Sequence, residues 1–289
     1  MIKELIHSMR PKQWYKNIVI FIGLVFSLNF LNPADWLNVI AAFVIFCILS
    51  GSIYIINDII DVEKDRNHPL KRLRPLASGK LKLSHGLSFA IIFIVLAFAG
   101  SYLINIPFFL ITLTFFFLIL IYSLFLKNFL IVDILVISSG FVLRAIAGCL
   151  AISVVVSPWL IICTFLIALF LALGKRRHEL IIMGGDAKNH RQILGEYSSE
   201  MLEQMINITT SILVMSYSLY TFFSNNMYMM LTIPFAFYGL FRYLYLVHSK
   251  NMGGEPEMIF KDRGMVLCLI FWVIIVLLIL YMDKIIQII

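Results

Sequence analysis

Residues 51–74 read GSIYIINDIIDVEKDRNHPLKRLR. An apolar run passes directly into carboxylates, and the carboxylates into cations. If helix continues past the apolar part, Asn57, Asp61 and Asp65 stand at i, i+4 and i+8. Asp58 joins Asp61 and Asp65 at i, i+3 and i+7, so all four polar groups share one face. Three carboxylates within two turns repel one another, and a divalent cation bridging them removes that cost. Oxygen ligands without His or Cys favour a hard ion, Mg2+ before Ca2+. Mg2+ takes one or two carboxylates and completes its shell with water and phosphate oxygens. The stretch therefore has the make-up of a Mg2+–diphosphate site, with Asn57, Asp58, Asp61 and Asp65 as metal ligands. The competing reading is a solvated loop that only marks topology, and it gives no reason for helical phase. His68-Pro69 is the expected end of the helix. Lys71, Arg72, Arg74 and Lys80 then follow in a loop, where arginine forks suit phosphate oxygens.

The chain around this stretch is 61% hydrophobic and only 13% charged over 289 residues, with mean hydropathy +0.96. Soluble domains carry about 25% charged residues. A soluble sphere of this size could not hide so much apolar surface, so its solvent is lipid. The start, MIKELIHSMRPKQWYKN, lacks a small-residue cleavage site before residue 31, so the first apolar run reads as a retained span. Runs long enough to cross a bilayer lie near 18–32, 37–57, 86–105, 107–126, 130–151, 158–174, 207–224, 227–247 and 265–283. Asn-Pro at 32–33, Ile-Pro at 106–107, Ser-Pro at 157–158 and Asn-Asn at 225–226 separate neighbouring helices. The expectation is an all-α polytopic membrane protein of nine transmembrane helices, forming a single membrane-embedded domain over 1–289. Cys47, Cys149, Cys163 and Cys268 lie inside apolar runs without a C-x-x-C pair and read as small core residues. Six histidines show no metal-ligand spacing.

Lysines and arginines set the orientation. Lys3, Arg10, Lys12 and Lys16 precede the first span, and the loops after spans two, four, six and eight hold most of the others. In all, 20 of the 23 fall on one side, with Lys284 opposite and Arg144 and Arg242 within spans. The expected N-terminus is cytoplasmic and the expected C-terminus is on the other side of the cell membrane. The net charge of +7 is then a property of the cytoplasmic face, set against anionic headgroups, and calls for no nucleic acid.

Charges inside spans cost several kcal/mol unless they face protein or a wet cavity. Asp133, Ile137, Gly140, Arg144 and Gly148 form one helical stripe, flanked by Ser138 and Ser139. Arg144 lies about 16 Å beyond Asp133 at 1.5 Å per residue, too far for a direct pair. The stripe reads as one wall of a polar cavity. Arg144 is a candidate for contacting an acceptor or donor phosphate; the alternative is a structural arginine that packs helices. Arg242, near a helix end, is expected to snorkel. Tyr54, one turn before Asp58, and Tyr122, Ser123 and Lys127 are candidates for the same cytoplasmic mouth, though interfacial tyrosines are also ordinary. RPKQWYKN (10–17) reads as an interfacial anchor through Trp14 and Tyr15. Glu255, Glu257 and Asp262 fall in the last cytoplasmic loop.

NDIIDVEKD (57–65) resembles the N-D-x-x-D-x-x-x-D motif of the UbiA superfamily of membrane-embedded prenyltransferases at every specified position. The resemblance implies a nine-helix bundle and Mg2+. RPKQWYKN, the segment YSLFLKNFLIVDILVISSGFVLRAIAG (122–148), LALGKRRHEL (171–180) and GGEPEMIFKDR (253–263) narrow it to the decaprenyl-phosphate phosphoribosyltransferases. That subfamily implies transfer of a phosphoribosyl group from phosphoribosyl diphosphate to a polyprenyl phosphate in the bilayer, releasing diphosphate. The match raises Lys16 and Asn17 to site candidates.

Ordinary members carry a second aspartate motif between helices six and seven. Here that region has Lys175, Arg176, Arg177 and Glu179, with Asp186 standing alone. Two acidic clusters fit two metals on one diphosphate. One acidic and one basic cluster fit a single metal–diphosphate plus further phosphates. On its own, GKRRHEL also reads as a helix end whose cations complement the dipole. Asp58, Asp61 and Asp65 are the expected catalytic residues. Lys16, Asn17, Lys71, Arg72, Arg74, Tyr122, Lys127, Lys175 and Arg176 are the expected donor or phosphate ligands, and Tyr54, Asp133, Arg144 and Glu179 line the acceptor cavity. The alternative activity is a prenyltransferase moving a prenyl group from prenyl diphosphate to an aromatic or other small acceptor. A transporter, the third class, would need a polar path through both leaflets, and the short, nearly uncharged far-side loops offer none.

Overall fold

The computed structural model describes residues 1–183, 195–224, 226–249 and 261–286. Among these residues the regular elements are all helices, with no strand. Asp186, Glu255 and Glu257 lie outside the described residues, as does most of the GGEPEMIFKDR segment. Among the described residues, seven helices are long and apolar enough to cross a membrane. They are Pro33–Ile60, Leu83–Ile104, Ile106–Leu124, Val132–Ala151, Pro158–Ile182, Met227–His248 and Arg263–Met282.

Two of the nine expected spans differ from expectation. The helix expected over 207–224 starts earlier, at Ser199, and ends at Phe222. Its opening turns carry Glu200, Glu203 and Gln204, which dilute its apolar character. The run expected over 18–32 is a 3₁₀ helix at Pro11–Phe21 followed by the five-residue α-helix Ile22–Phe26. A 3₁₀ helix rises about 2.0 Å per residue against 1.5 Å, so a shorter stretch reaches as far.

The proline and asparagine breaks behave as their chemistry requires. Asn32 accepts the Ala34 amide at 3.1 Å and so starts the Pro33–Ile60 helix, with proline at a position that needs no donor. Asn105, in extended backbone, accepts the Phe108 amide at 2.7 Å and donates to the Leu150 carbonyl at 2.8 Å.

The chain divides into two compact units. Unit one is Met1–Leu124 with Leu143–Val156, and unit two is Phe125–Val142 with Ser157–Ile289. In unit one the Pro33–Ile60 helix packs against Leu83–Ile104 and the 3₁₀ segment. It is the central element: 61% of its apolar window is buried, against 17% for Leu83–Ile104. Ile20, Leu24, Phe46, Leu49, Phe108 and Phe115 form the core of this unit. The outer faces carry Ile91, Ile92, Val95 and Leu96, more than half exposed, an apolar surface that lipid solvates and water does not. In unit two, Ser199–Phe222 packs on Pro158–Met183, and Ile233–Ser249 on Arg263–Ile286.

Gly148 permits the closest approach in unit one. A Cβ there would stand 1.9 Å from the Ile20 carbonyl oxygen, so the 3₁₀ backbone rests directly on the helix. Gly148→Ala is expected to cost about 3 kcal/mol or more, because the clash is with backbone. Gly239→Ala, whose Cβ would meet only the Cys268 sulfur at 3.9 Å, serves as the tolerated control. Thermal unfolding of the purified membrane protein reads the difference.

Candidate active site

The acidic stretch folds as expected in phase, but not as one helix. The long helix ends at Ile60, Asp61 takes φ −91° and ψ 9°, and a short helix runs Val62–Arg66. The amide bonds of Asp61 to Asn57 (2.9 Å) and Asp65 to Asp61 (2.8 Å) carry the register across the joint. Asp58 and Asp65 are both 3% exposed, and Asp61 is half-buried. Buried carboxylates without counter-charge cost several kcal/mol. Arg74 supplies it: one guanidinium nitrogen, Nη1, stands 3.1 Å from Asp58 and 2.6 Å from Asp65. Arg10 adds a second pair to Asp58 at 2.5 Å, its guanidinium lying 4.8 Å over the Tyr54 ring. Arg10 itself sits in left-handed backbone, φ 52°, a conformation that non-glycine residues keep only where surroundings hold it.

The turn that delivers Arg74 is shaped by His68, whose Nδ1 accepts the amides of Leu70 (3.2 Å) and Lys71 (3.3 Å). Lys71 is half-buried, while Arg72 and Lys80 are exposed. Asn57 accepts the Ser123 hydroxyl at 2.5 Å, which ties the start of the motif to the end of the Ile106–Leu124 helix. Tyr54, Tyr122 and Lys127 are half-buried.

Arg144 and Asn17 form a second polar link in unit one. Asn17 is 1% exposed; its Oδ1 accepts Arg144 Nε at 2.8 Å and its Nδ2 donates to Cys47 Sγ at 3.3 Å. The Arg144 guanidinium also lies 4.6 Å over the Phe115 ring. The RPKQWYKN segment therefore does more than anchor at an interface: its last residue is core. Lys16 beside it is half-buried.

In unit two, Asp133 is fully buried and accepts from two donors. Arg176 Nε reaches its Oδ2 at 2.8 Å, and the Tyr197 hydroxyl reaches its Oδ1 at 2.9 Å. Arg176 Nη1 pairs with Glu179, and Lys175 stands 4.0 Å from the same glutamate. Arg177 pairs with Glu203 at 2.9 Å. Burial first, then the Asp133 charge, pushes the Tyr197 phenol well above its ordinary range, so it keeps its proton and donates. Tyr197 is absent from the sequence expectations, as are Arg10 and its pair with Asp58. Arg242 does not snorkel alone. Its Nε and Nη2 grip Asp262 at 3.0 and 2.9 Å, and Asp262 also accepts the Met265 amide at the start of the last helix.

The UbiA prenyltransferase family profile matches residues 18–272, most of the chain. The chain belongs to the UbiA family. Decaprenyl-phosphate phosphoribosyltransferase of Mycobacterium tuberculosis is 30% identical over 282 residues, covering 94% of this chain and 93% of that protein. The Corynebacterium glutamicum protein of the same name is 30% identical over 288 residues, covering 96% and 86%. The structure of a UbiA homolog from Archaeoglobus fulgidus bound to GPP and Mg2+ superposes with a TM-score of 0.75 at 16% identity, over 96% of this chain and 99% of that one. At that identity the likeness speaks for the fold alone. This UbiA-family chain is thus an integral membrane protein with the family's helical fold and a transferase.

The sequence places four candidate metal ligands, Asn57, Asp58, Asp61 and Asp65, in the acidic stretch. Among the described residues no group of three or more His, Cys, Asp or Glu side chains is gathered for a metal. Two carboxylates, Asp58 and Asp65, do converge on one cationic nitrogen. Two protein carboxylates and phosphate oxygens suit Mg2+, so the residues present fit the ion.

Asn17→Ala is expected to remove the acceptor of a buried guanidinium and to destabilise the protein by about 1–3 kcal/mol. Asn17→Asp, which keeps an acceptor oxygen, is expected to lose less. Thermal unfolding in one detergent compares the two.

Proposed function

We propose that this chain transfers a 5-phosphoribosyl group from phosphoribosyl diphosphate to a polyprenyl phosphate of the decaprenyl type and releases diphosphate. The observation that carries the reading is the 175–179 stretch of the Pro158–Met183 helix, where Lys175, Arg176 and Arg177 stand in the region where ordinary family members use a second set of carboxylates. Cations there suit a donor with a 5-phosphate and an acceptor that is itself a phosphate. The names of the M. tuberculosis and C. glutamicum relatives, aligned over nearly the whole chain, support the same substrates. On this reading the two units act as one transferase domain of nine spans. Its N-terminus is cytoplasmic, its C-terminus opposite, and its site opens to the cytoplasmic leaflet of the cell membrane.

Asp58 and Asp65, with Asn57 and Asp61, would hold Mg2+. Bound there, the ion supplies Lewis-acid stabilisation to the departing diphosphate. With the ion bound, Asp58 and Asp65 would face it, and Arg74 and Arg10 would be left to hold the diphosphate, so the charges stay balanced. Lys71, Arg72, Lys175 and Arg176 take the remaining phosphates, with Lys16, Tyr122 and Lys127 as further phosphate ligands; buried Asn17 holds Arg144 instead. The bond from the anomeric carbon to diphosphate oxygen breaks, and its electron pair leaves with diphosphate. The carbon gains oxocarbenium character, which the acidic surroundings stabilise. A polyprenyl phosphate oxygen forms the new bond from the opposite face and inverts the centre. The attacking phosphate is already anionic near neutral pH, so the site needs no general base. Tyr54 and Glu179 are the acceptor-side residues; buried Asp133 and Arg144 hold Arg176 and Asn17 instead.

Purified protein, Mg2+, labelled phosphoribosyl diphosphate and polyprenyl phosphate are expected to move label into the lipid phase. A parallel tube with prenyl diphosphate and 4-hydroxybenzoate is expected to stay empty; product only there reverses the assignment. Asp61→Asn is expected to abolish turnover while membrane insertion and thermal unfolding stay as in the wild type. Chelation with EDTA is expected to stop the reaction, and added Mg2+ to restore it.

A further inference from the structure

Tyr197 belongs to no motif, yet the fold fixes it closely. It immediately precedes Ser198, whose side chain accepts the Met201 amide at 3.0 Å and starts the Ser199–Phe222 helix. Tyr197 and Leu202, at the positions flanking this start, are buried in one cluster, the arrangement of a hydrophobic staple. The ring is thereby locked, and its hydroxyl makes two bonds. It accepts the Ile131 amide at 3.0 Å and donates to Asp133 at 2.9 Å.

Ile131 stands at φ 66°. A β-branched residue in the left-handed region is a true outlier, and such strain persists only where the surroundings over-determine it. Here the Tyr197 hydroxyl holds the strained amide and, two residues on, the carboxylate. Asp133, with no exposure, in turn holds Arg176 by Nε. The opposite edge of that guanidinium meets Glu179, whose side chain is 22% exposed. One edge of Arg176 is thus anchored in the interior and the other faces a partly solvated carboxylate.

We propose that Tyr197 is a positioning residue for Arg176: through Asp133 and the strained Ile131 turn, it fixes the guanidinium so that its Glu179 edge meets substrate phosphate. The inference rests on the reading of Arg176 as a phosphate ligand given above. Tyr197 touches no substrate in this arrangement. A phosphate displaces Glu179 from Nη1, while Asp133 keeps the inner edge in place.

The test is calorimetric titration of the purified protein in lipid nanodiscs with phosphoribosyl diphosphate and Mg2+, a probe that carries the further phosphate assigned to Arg176. Tyr197→Phe is expected to raise the dissociation constant about fivefold, the effect of one lost hydrogen bond. Adding Ile131→Gly removes the left-handed strain and is expected to bring the unfolding midpoint within about 2 °C of wild type. The weakened affinity is expected to remain. An affinity that recovers together with the midpoint would make the role merely structural and overturn the proposal. So would a Tyr197→Phe affinity within about twofold of wild type, or a wild-type protein that binds no phosphoribosyl diphosphate. Should Tyr197→Phe fail to fold, the double variant is compared with Ile131→Gly alone, and the same outcomes decide. Wild-type protein that binds phosphoribosyl diphosphate with the expected Tyr197→Phe loss but moves no phosphoribosyl group removes the transfer reading and leaves the positioning role standing.

Discussion

An ionised side chain removed from water must find its counter-charge inside the protein, and in an apolar chain of this kind few groups can supply it. Asp58, Asp65, Asp133 and Asp262 are all buried, and each is met by an arginine. Lysine would serve poorly in this role. Its ammonium is a compact, strongly hydrated point charge, whereas the guanidinium fork keeps several donors in one plane and is less costly to desolvate. Arg74 shows the use of that geometry by bridging two carboxylates from a single nitrogen. Each pair also joins two elements, so the ion pairs that neutralise the interior fix its loops and helix ends as well.

This explains which parts were legible in the sequence. Apolar runs, prolines and capping asparagines act locally, and they located Pro33, Ile106 and Pro158 as helix starts. The phase of Asn57, Asp61 and Asp65 was legible for the same reason, since one continuous backbone ladder carries it. The partners were not. Arg10 meets Asp58 across 48 residues, Tyr197 meets Asp133 across 64, and Arg144 meets Asn17 across 127. Periodicity carries no information on such pairings. Charge inventory gave only half of the answer: Asp133 and Arg144 share a helix stripe, but each bonds to a residue from another element.

The 3₁₀ segment had a signal that was available but weak. RPKQWYKN carries Trp14 and Tyr15 side by side, which suits an interfacial anchor. Only packing makes Asn17 a core residue. Gly148 admits the segment's backbone, and Asn17 then satisfies Arg144 and contacts Cys47. The glycine on the expected polar stripe thus has its reason in unit one: it makes room for the backbone that brings the acceptor for its neighbour Arg144.

The same counter-charges set the terms on which a substrate can enter. A bare cation arriving at Asp58 and Asp65 would have to displace Arg74 and leave a guanidinium without an anion. A bare diphosphate would draw the arginine away from buried Asp65 and leave Asp58 with Arg10 alone. On the proposed reading, only the metal–diphosphate complex offers both charges at once, so that each bond broken within the chain is replaced by one of the same kind. On that reading the chain's own counter-charges discriminate against each half of the donor.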